Sequence, residues 1–206
     1  MDGVFMFKII KIALILALAG AMLYFGTVIS DKKQLRDSVL RLHVIANSDS
    51  QADQEVKLKV RDAVLEEVNG HLDSAMTKQQ AREVLEGKLK ELEEVANMVL
   101  RQEGMTDIAT VTLGREEYPT REYDTFTLPA GVYDSLIVSI GEAKGQNWWC
   151  VVFPSLCLPA VGSDAADVAA GAGFSDSLSG AITGREGYQV RFFLLVWLGK
   201  IENFFW

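Results

Sequence analysis

The feature that most constrains this chain is the uncharged run from Ile12 to Ile29, IALILALAGAMLYFGTVI, preceded by Lys8 and Lys11. A terminal segment apolar on all its faces has no polar side to turn to water, so it belongs in a membrane or in an export channel. Two readings follow. The basic start, the apolar stretch and the small residues at Ala17-Leu18-Ala19 and Ala19-Gly20-Ala21 are the parts of a cleavable signal, cut after Ala19 or Ala21. At 1.5 Å per residue the same run nearly matches a hydrocarbon core of about 30 Å. It therefore also reads as an uncleaved anchor held in the membrane through residues 4–29, with Lys8 and Lys11 snorkelling. Lys32, Lys33 and Arg36 follow the run, so charge does not settle its orientation.

The rest of the 206 residues is polar enough to exclude further spans and long enough for one domain. Its boundaries read as a signal or anchor over 1–30, a charged juxtamembrane spacer over 31–39 and a folded domain over 40–159. A flexible Ala/Gly/Ser-rich loop over 160–187 follows, then a terminal strand with an apolar tail over 188–206. A net charge of −8 excludes nucleic acid as a partner, because phosphate binding needs clustered Lys and Arg.

Within the domain, Leu40 to Ala46 alternates as a first strand, and Asn47-Ser48-Asp49-Ser50 stops it. Ser50 caps a helix with Asp53 in its first turn. Val56, Val60, Val64 and Val68 repeat every fourth residue and form the apolar stripe of that helix, while Lys57, Lys59, Arg61 and Asp62 point elsewhere. Thr77 and Gln80 form a capping box, followed by a stripe of Ala81, Leu85, Leu89, Leu92, Val95, Ala96, Val99 and Leu100, with Gly104 as the stop. From Ile108 the period becomes two. Strands are expected over 108–113, 122–128, 132–140 and 147–153, with Pro129-Ala130-Gly131 as a hairpin loop. The predicted fold is α+β: an N-terminal hydrophobic helix, then one domain in which an antiparallel sheet packs against two amphipathic helices.

A search for catalytic chemistry finds no constellation. The two histidines, His43 and His71, lie on different elements, and no H-E-x-x-H or C-x-x-C spacing occurs. There is no G-x-S-x-G elbow. No cofactor, metal or small-molecule substrate is expected, and His43 reads as a hydrogen-bonded core residue. Cys150 and Cys157 suit a short-loop disulfide in an oxidising compartment, or two buried thiols. Trp148 and Trp149 are adjacent in a strand, so only one of them can enter the helix-covered core. The other meets a second layer or serves as an aromatic hot spot.

Several segments resemble the stage II sporulation protein R family. They are Leu42-His43-Val44-Ile45-Ala46-Asn47-Ser48-Asp49, Lys57-Leu58-Lys59-Val60-Arg61-Asp62, Tyr118-Pro119-Thr120-Arg121, Leu128-Pro129-Ala130-Gly131-Val132-Tyr133, Ile140-Gly141-Glu142-Ala143 and, most distinctive, the block from Gly145 to Cys157 that contains Trp148, Trp149 and Cys150. The resemblance implies a signalling protein of endospore formation, exported from the forespore into the intermembrane space. There it triggers a membrane-embedded aspartic protease that processes the mother-cell sigma-E precursor. No catalysis by the signal itself is implied. Asn47, Ser48, Asp49, Tyr118, Arg121, Trp148 and Trp149 are the expected partner-binding residues. An exported hydrolase using His43 and a membrane-tethered structural protein are the competing readings.

Overall fold

The fold is described from a computed structural model, which places residues 3–72, 76–123, 127–154, 193–194, 196–198 and 201. The expected Ala/Gly/Ser-rich loop, the strand over 188–192 and Cys157 lie outside the described residues.

The apolar run forms α1, Gly3–Ser38. The helix does not end where the hydrophobic run ends: it continues through the segment expected as a spacer. Phe5 to Phe25 carries its large apolar side chains exposed, whereas Val28, Leu35 and Val39 are fully buried. Asp31, in the charged stretch, is buried too. The C-terminal third of α1 is thus a packed part of the domain.

The amphipathic repeats form α2, Gln51–His71, and α3, Lys78–Gln102. Both caps occur as the local sequence dictates. Ser50 Oγ accepts from the Asp53 backbone N–H at 3.1 Å, and Thr77 and Gln80 close a reciprocal capping box. These bonds satisfy amides that a helix start leaves without partners. Gly104 follows α3 with φ +72°, a left-handed conformation glycine adopts without steric cost. Lys57 departs from expectation. It is buried, because its ammonium turns back from α2 to the carbonyl of Gln146 at 3.0 Å and to Gln54 Oε1 at 2.6 Å.

Six strands follow the expected period of two: β1 Leu40–Ile45, β2 Ala109–Tyr118, β3 Arg121–Glu122, β4 Thr127–Leu128, β5 Gly131–Ile140 and β6 Asn147–Phe153. The fold class is α+β as the sequence predicts, but the sheet is mixed rather than wholly antiparallel. Its order is β2-β5-β1-β6, with β1 parallel to β5 and antiparallel to β6. The first strand is inserted between two strands that come a hundred residues later, so β5 and β6 are not hairpin neighbours. The expected strand over 122–128 shrinks to the small β3-β4 ribbon, which pairs only with itself. Gly131 already belongs to β5, opposite Tyr118 of β2.

Alternation then gives the sheet two different faces. One carries Leu40, Leu42, Val44, Val111, Leu136, Val138, Ile140, Cys150 and Val152, and α2 and α3 cover it with their buried stripes. The other builds a second, smaller cluster in which Val28, Leu35 and Val39 meet Tyr118, Leu128, Tyr133 and Val151. Leu194 and Leu198 from the apolar tail pack against the same cluster, and Lys32 donates to the Leu198 carbonyl at 3.1 Å. Among the described residues of the tail, Leu194 and Leu198 dock on the domain, while Phe193 and Trp197 remain exposed.

Candidate functional site

The face away from α2 and α3 is where the sheet gathers its polar and aromatic residues. Arg41 and His43 come from alternate positions of β1, Glu116 and Tyr118 from β2, and Asn147 and Trp149 from β6. The register sets His43 beside Trp149. His43 Nδ1 lies 2.9 Å from Glu116 Oε2 and Nε2 lies 2.8 Å from Asn147 Oδ1. Both ring nitrogens therefore have side-chain partners, which ties three strands together across the face.

Arg41 is fully buried. Nη2 donates to the Tyr123 hydroxyl at 2.9 Å, while Nε and Nη1 have no hydrogen-bond partner. The guanidinium instead lies 3.8 Å from the Tyr118 ring centroid and 5.1 Å from that of Tyr133. Two aromatic faces thus supply the electrostatic compensation a buried cation needs. The Tyr118 hydroxyl pairs with Ser135 Oγ at 2.5 Å. Burial pushes its ionisation well above the ordinary tyrosine range, with the Ser135 bond and the Arg41 charge opposing that shift.

Trp149 closes the cluster. Its ring is 5.5 Å from the His43 ring and 6.4 Å from Tyr118, and Arg121 on the β3-β4 ribbon stacks over it at 3.8 Å. Arg121 and Trp149, 28 residues apart in sequence, form a partly exposed aromatic-cationic pair over the buried Tyr118 ring. Trp148 faces the opposite side, as alternation requires, and packs against the helix-covered core beneath Arg61 at 4.7 Å. It does not join the patch.

The Asn47-Ser48-Asp49 turn lies beyond the end of β1, near Asn147 at the start of β6. Its side chains bond to neighbouring segments of the same chain, while Asp49 itself stays exposed. Asn47 Oδ1 accepts from the Glu142 amide at 2.9 Å and Asp49 Oδ1 from the Gln146 amide at 2.7 Å. Ser48 Oγ donates to Asp53 Oδ2 at 2.5 Å, and Asn47 Nδ2 reaches the same oxygen at 3.3 Å. The Ser48 bond, above all, holds the Asp53 carboxyl below its ordinary range against the desolvation that opposes it. The turn clamps the 141–146 loop onto α2. Glycines make this possible: a Cβ on Gly145 would stand 2.5 Å from the Ser48 carbonyl carbon, and Gly141 has φ +56°.

Sequence reasoning missed Arg41 and Glu116. The available signal was spacing, since Arg41/His43 and Glu116/Tyr118 are both i, i+2 pairs in strands. Cys150 is buried beneath the helix layer. What the patch offers chemically is recognition by stacking and charge on a rigid sheet. Among the described residues, no hydroxyl or thiol nucleophile is bonded to His43.

The fold defines a class: an α+β domain joined without a break to an exposed apolar helix, with Arg121 stacked on Trp149 beside the sheet face on which the end of that helix packs. The family model for stage II sporulation protein R matches residues 36–163. Stage II sporulation protein R of Bacillus subtilis (strain 168) is 34% identical over 155 residues, covering 72% of this chain and 69% of that protein. The chain belongs to the stage II sporulation protein R family, whose members are sporulation signalling proteins. No solved structure matches the chain.

Proposed function

We propose that this protein is the exported signal that triggers a membrane-embedded aspartic protease to process the mother-cell sigma-E precursor during endospore formation. The observation that carries the reading is the match of the whole folded domain to the family, on a chain that opens with an exposed apolar helix. Phe5 to Phe25 extends about 30 Å along the helix axis, the thickness of a bilayer core. From Val28 onward the helix belongs to the domain. Cleavage after Ala19 or Ala21 would leave that packed part in place, so both the tethered and the released forms keep their fold. On this reading the domain acts beyond the cytoplasmic membrane, in the space between forespore and mother cell. A Cys150–Cys157 bridge would close the end of β6 there.

The partner-binding surface in this reading is Arg121 stacked on Trp149, with the Asn47-Ser48-Asp49 turn at the neighbouring end of the sheet. Stacked Arg and Trp are the side chains most often found as interface hot spots. Such a ligand activates an enzyme only by binding its active state more tightly than its inactive one. The test replaces Arg121, Trp149 and Asp49 singly by Ala in cells, with export of each variant verified. Arg121→Ala and Trp149→Ala are expected to cut precursor processing by about tenfold or more. Unchanged processing in all three removes this surface from consideration.

A further inference from the structure

Away from the sheet, α2 and α3 bring together three donor groups that the signalling role does not use. Glu67 and His71 are one turn apart on α2, and Glu91 comes from the facing turn of α3. Their ligand atoms all lie within 4.8 Å of one another. His71 Nε2 is 2.9 Å from Glu67 Oε1 and 3.7 Å from Glu91 Oε1. We propose that Glu67, His71 and Glu91 form a binding site for a first-row divalent cation, Zn2+ fitting best, with the fourth coordination position open to solvent.

Three features of the geometry support this. His71 Nε2 is buried and makes no hydrogen bond, although the Glu67 carboxylate is only 2.9 Å away. The oxygen must therefore lie well off the ring nitrogen's axis. A metal on that axis explains the offset: with bonds of about 2.1 Å, donors 2.9 Å apart subtend roughly 90° at the ion. The 3.7 Å separation to Glu91 corresponds to roughly 125°, so the two angles bracket the tetrahedral value. Second, a carboxylate oxygen of Glu67 and one of Glu91 lie within 4.8 Å of each other. Bringing two like charges together is costly unless a cation lies between them. Third, Lys88 Nζ holds Glu91 Oε2 at 2.6 Å. That leaves Oε1 facing the site and fixes the carboxylate's orientation, as outer partners of metal ligands do. One imidazole with two carboxylates suits Zn2+ better than Mg2+ or Ca2+, which favour all-oxygen sets.

The experiment uses the untagged full chain, in detergent micelles with its cysteines oxidised, titrated with Co2+ as a visible probe and then with Zn2+. The expected result is one Co2+ per chain with a tetrahedral-type absorption band, displaced by Zn2+. Zn2+ at a hundredfold excess over its dissociation constant should raise the melting temperature by about 5 °C. His71→Ala and Glu91→Gln should each weaken binding by more than about tenfold. Glu91 sits on an exposed helix face, so Glu91→Gln folds even where His71→Ala does not. Absence of stoichiometric uptake, or uptake unchanged in Glu91→Gln with native helix content, overturns the proposal.

Discussion

Leu35→Ala tests whether the terminal helix is a mere leader or part of the folded domain. Leu35 lies in the stretch that reads as a spacer, yet it is fully buried in the cluster with Tyr118, Leu128, Tyr133 and Val151. Truncating a leucine at such a site removes its transfer free energy and leaves a cavity, together about 2–5 kcal/mol. For a protein of this size that corresponds to a fall in melting temperature of about 5–15 °C. Leu23→Ala is the control. Leu23 is on the same helix but 75% exposed, and its truncation should stay within about 0.5 kcal/mol. Both variants are measured in the full chain in detergent micelles, by thermal and denaturant unfolding followed through tryptophan fluorescence. Trp149 packs against the same cluster and reports on it directly. If Leu35→Ala unfolds at the same midpoint as Leu23→Ala, α1 is not packed on the domain and the reasoning fails.

Two further expectations concern the clamp between the β1–α2 turn and the 141–146 loop. Gly145→Ala would drive a methyl group into the Ser48 backbone. It should cost about 1–3 kcal/mol, read as a lower urea midpoint with little change in slope. The lowered ionisation of Asp53 makes the clamp acid-sensitive. A carboxyl whose folded value lies below its unfolded value contributes stability at neutral pH, and that contribution disappears as pH falls through the folded value. Asp53→Asn should therefore destabilise the fold at neutral pH by about 1–3 kcal/mol, read as a lower urea midpoint, and flatten the loss of stability at pH below the ordinary carboxylate range. Parallel pH profiles for the two proteins would refute this.

Much of the fold was legible because the interactions that set it are local. Ser50 with Asp53 and Thr77 with Gln80 are three residues apart, and the buried valines of α2 repeat every fourth position, so the chain carries both helices in short windows. The opposite facing of Trp148 and Trp149 follows from the pleat alone. The small β3-β4 ribbon, by contrast, was misread as a longer strand. Its residues carry a strand-like pattern, but among the described residues β3 and β4 pair with each other and not with the main sheet.

The candidate sites divide in the same way. Trp149 stood out as one of two adjacent tryptophans, and Tyr118 and Arg121 through the family resemblance, yet only folding sets Arg121 over the Trp149 ring. Arg41 was legible only as a member of the first strand. Its burial depends on Tyr118, Tyr133 and Tyr123, which arrive from three later segments. Glu67 and His71 share a helix face by spacing, whereas Glu91 joins them only through the pairing of α2 with α3.

The sequence by itself determined the apolar helix, the caps and stripes of α2 and α3, the alternating strands and the family, because these rest on contacts within a few residues or on motifs. Only the tertiary structure decided that β1 lies between β5 and β6, that α1 continues into the core through Leu35, and that an arginine is buried on the sheet face away from α2 and α3. Those outcomes come from pairing segments many tens of residues apart, where the free energy lies in shared burial that no short window of residues contains.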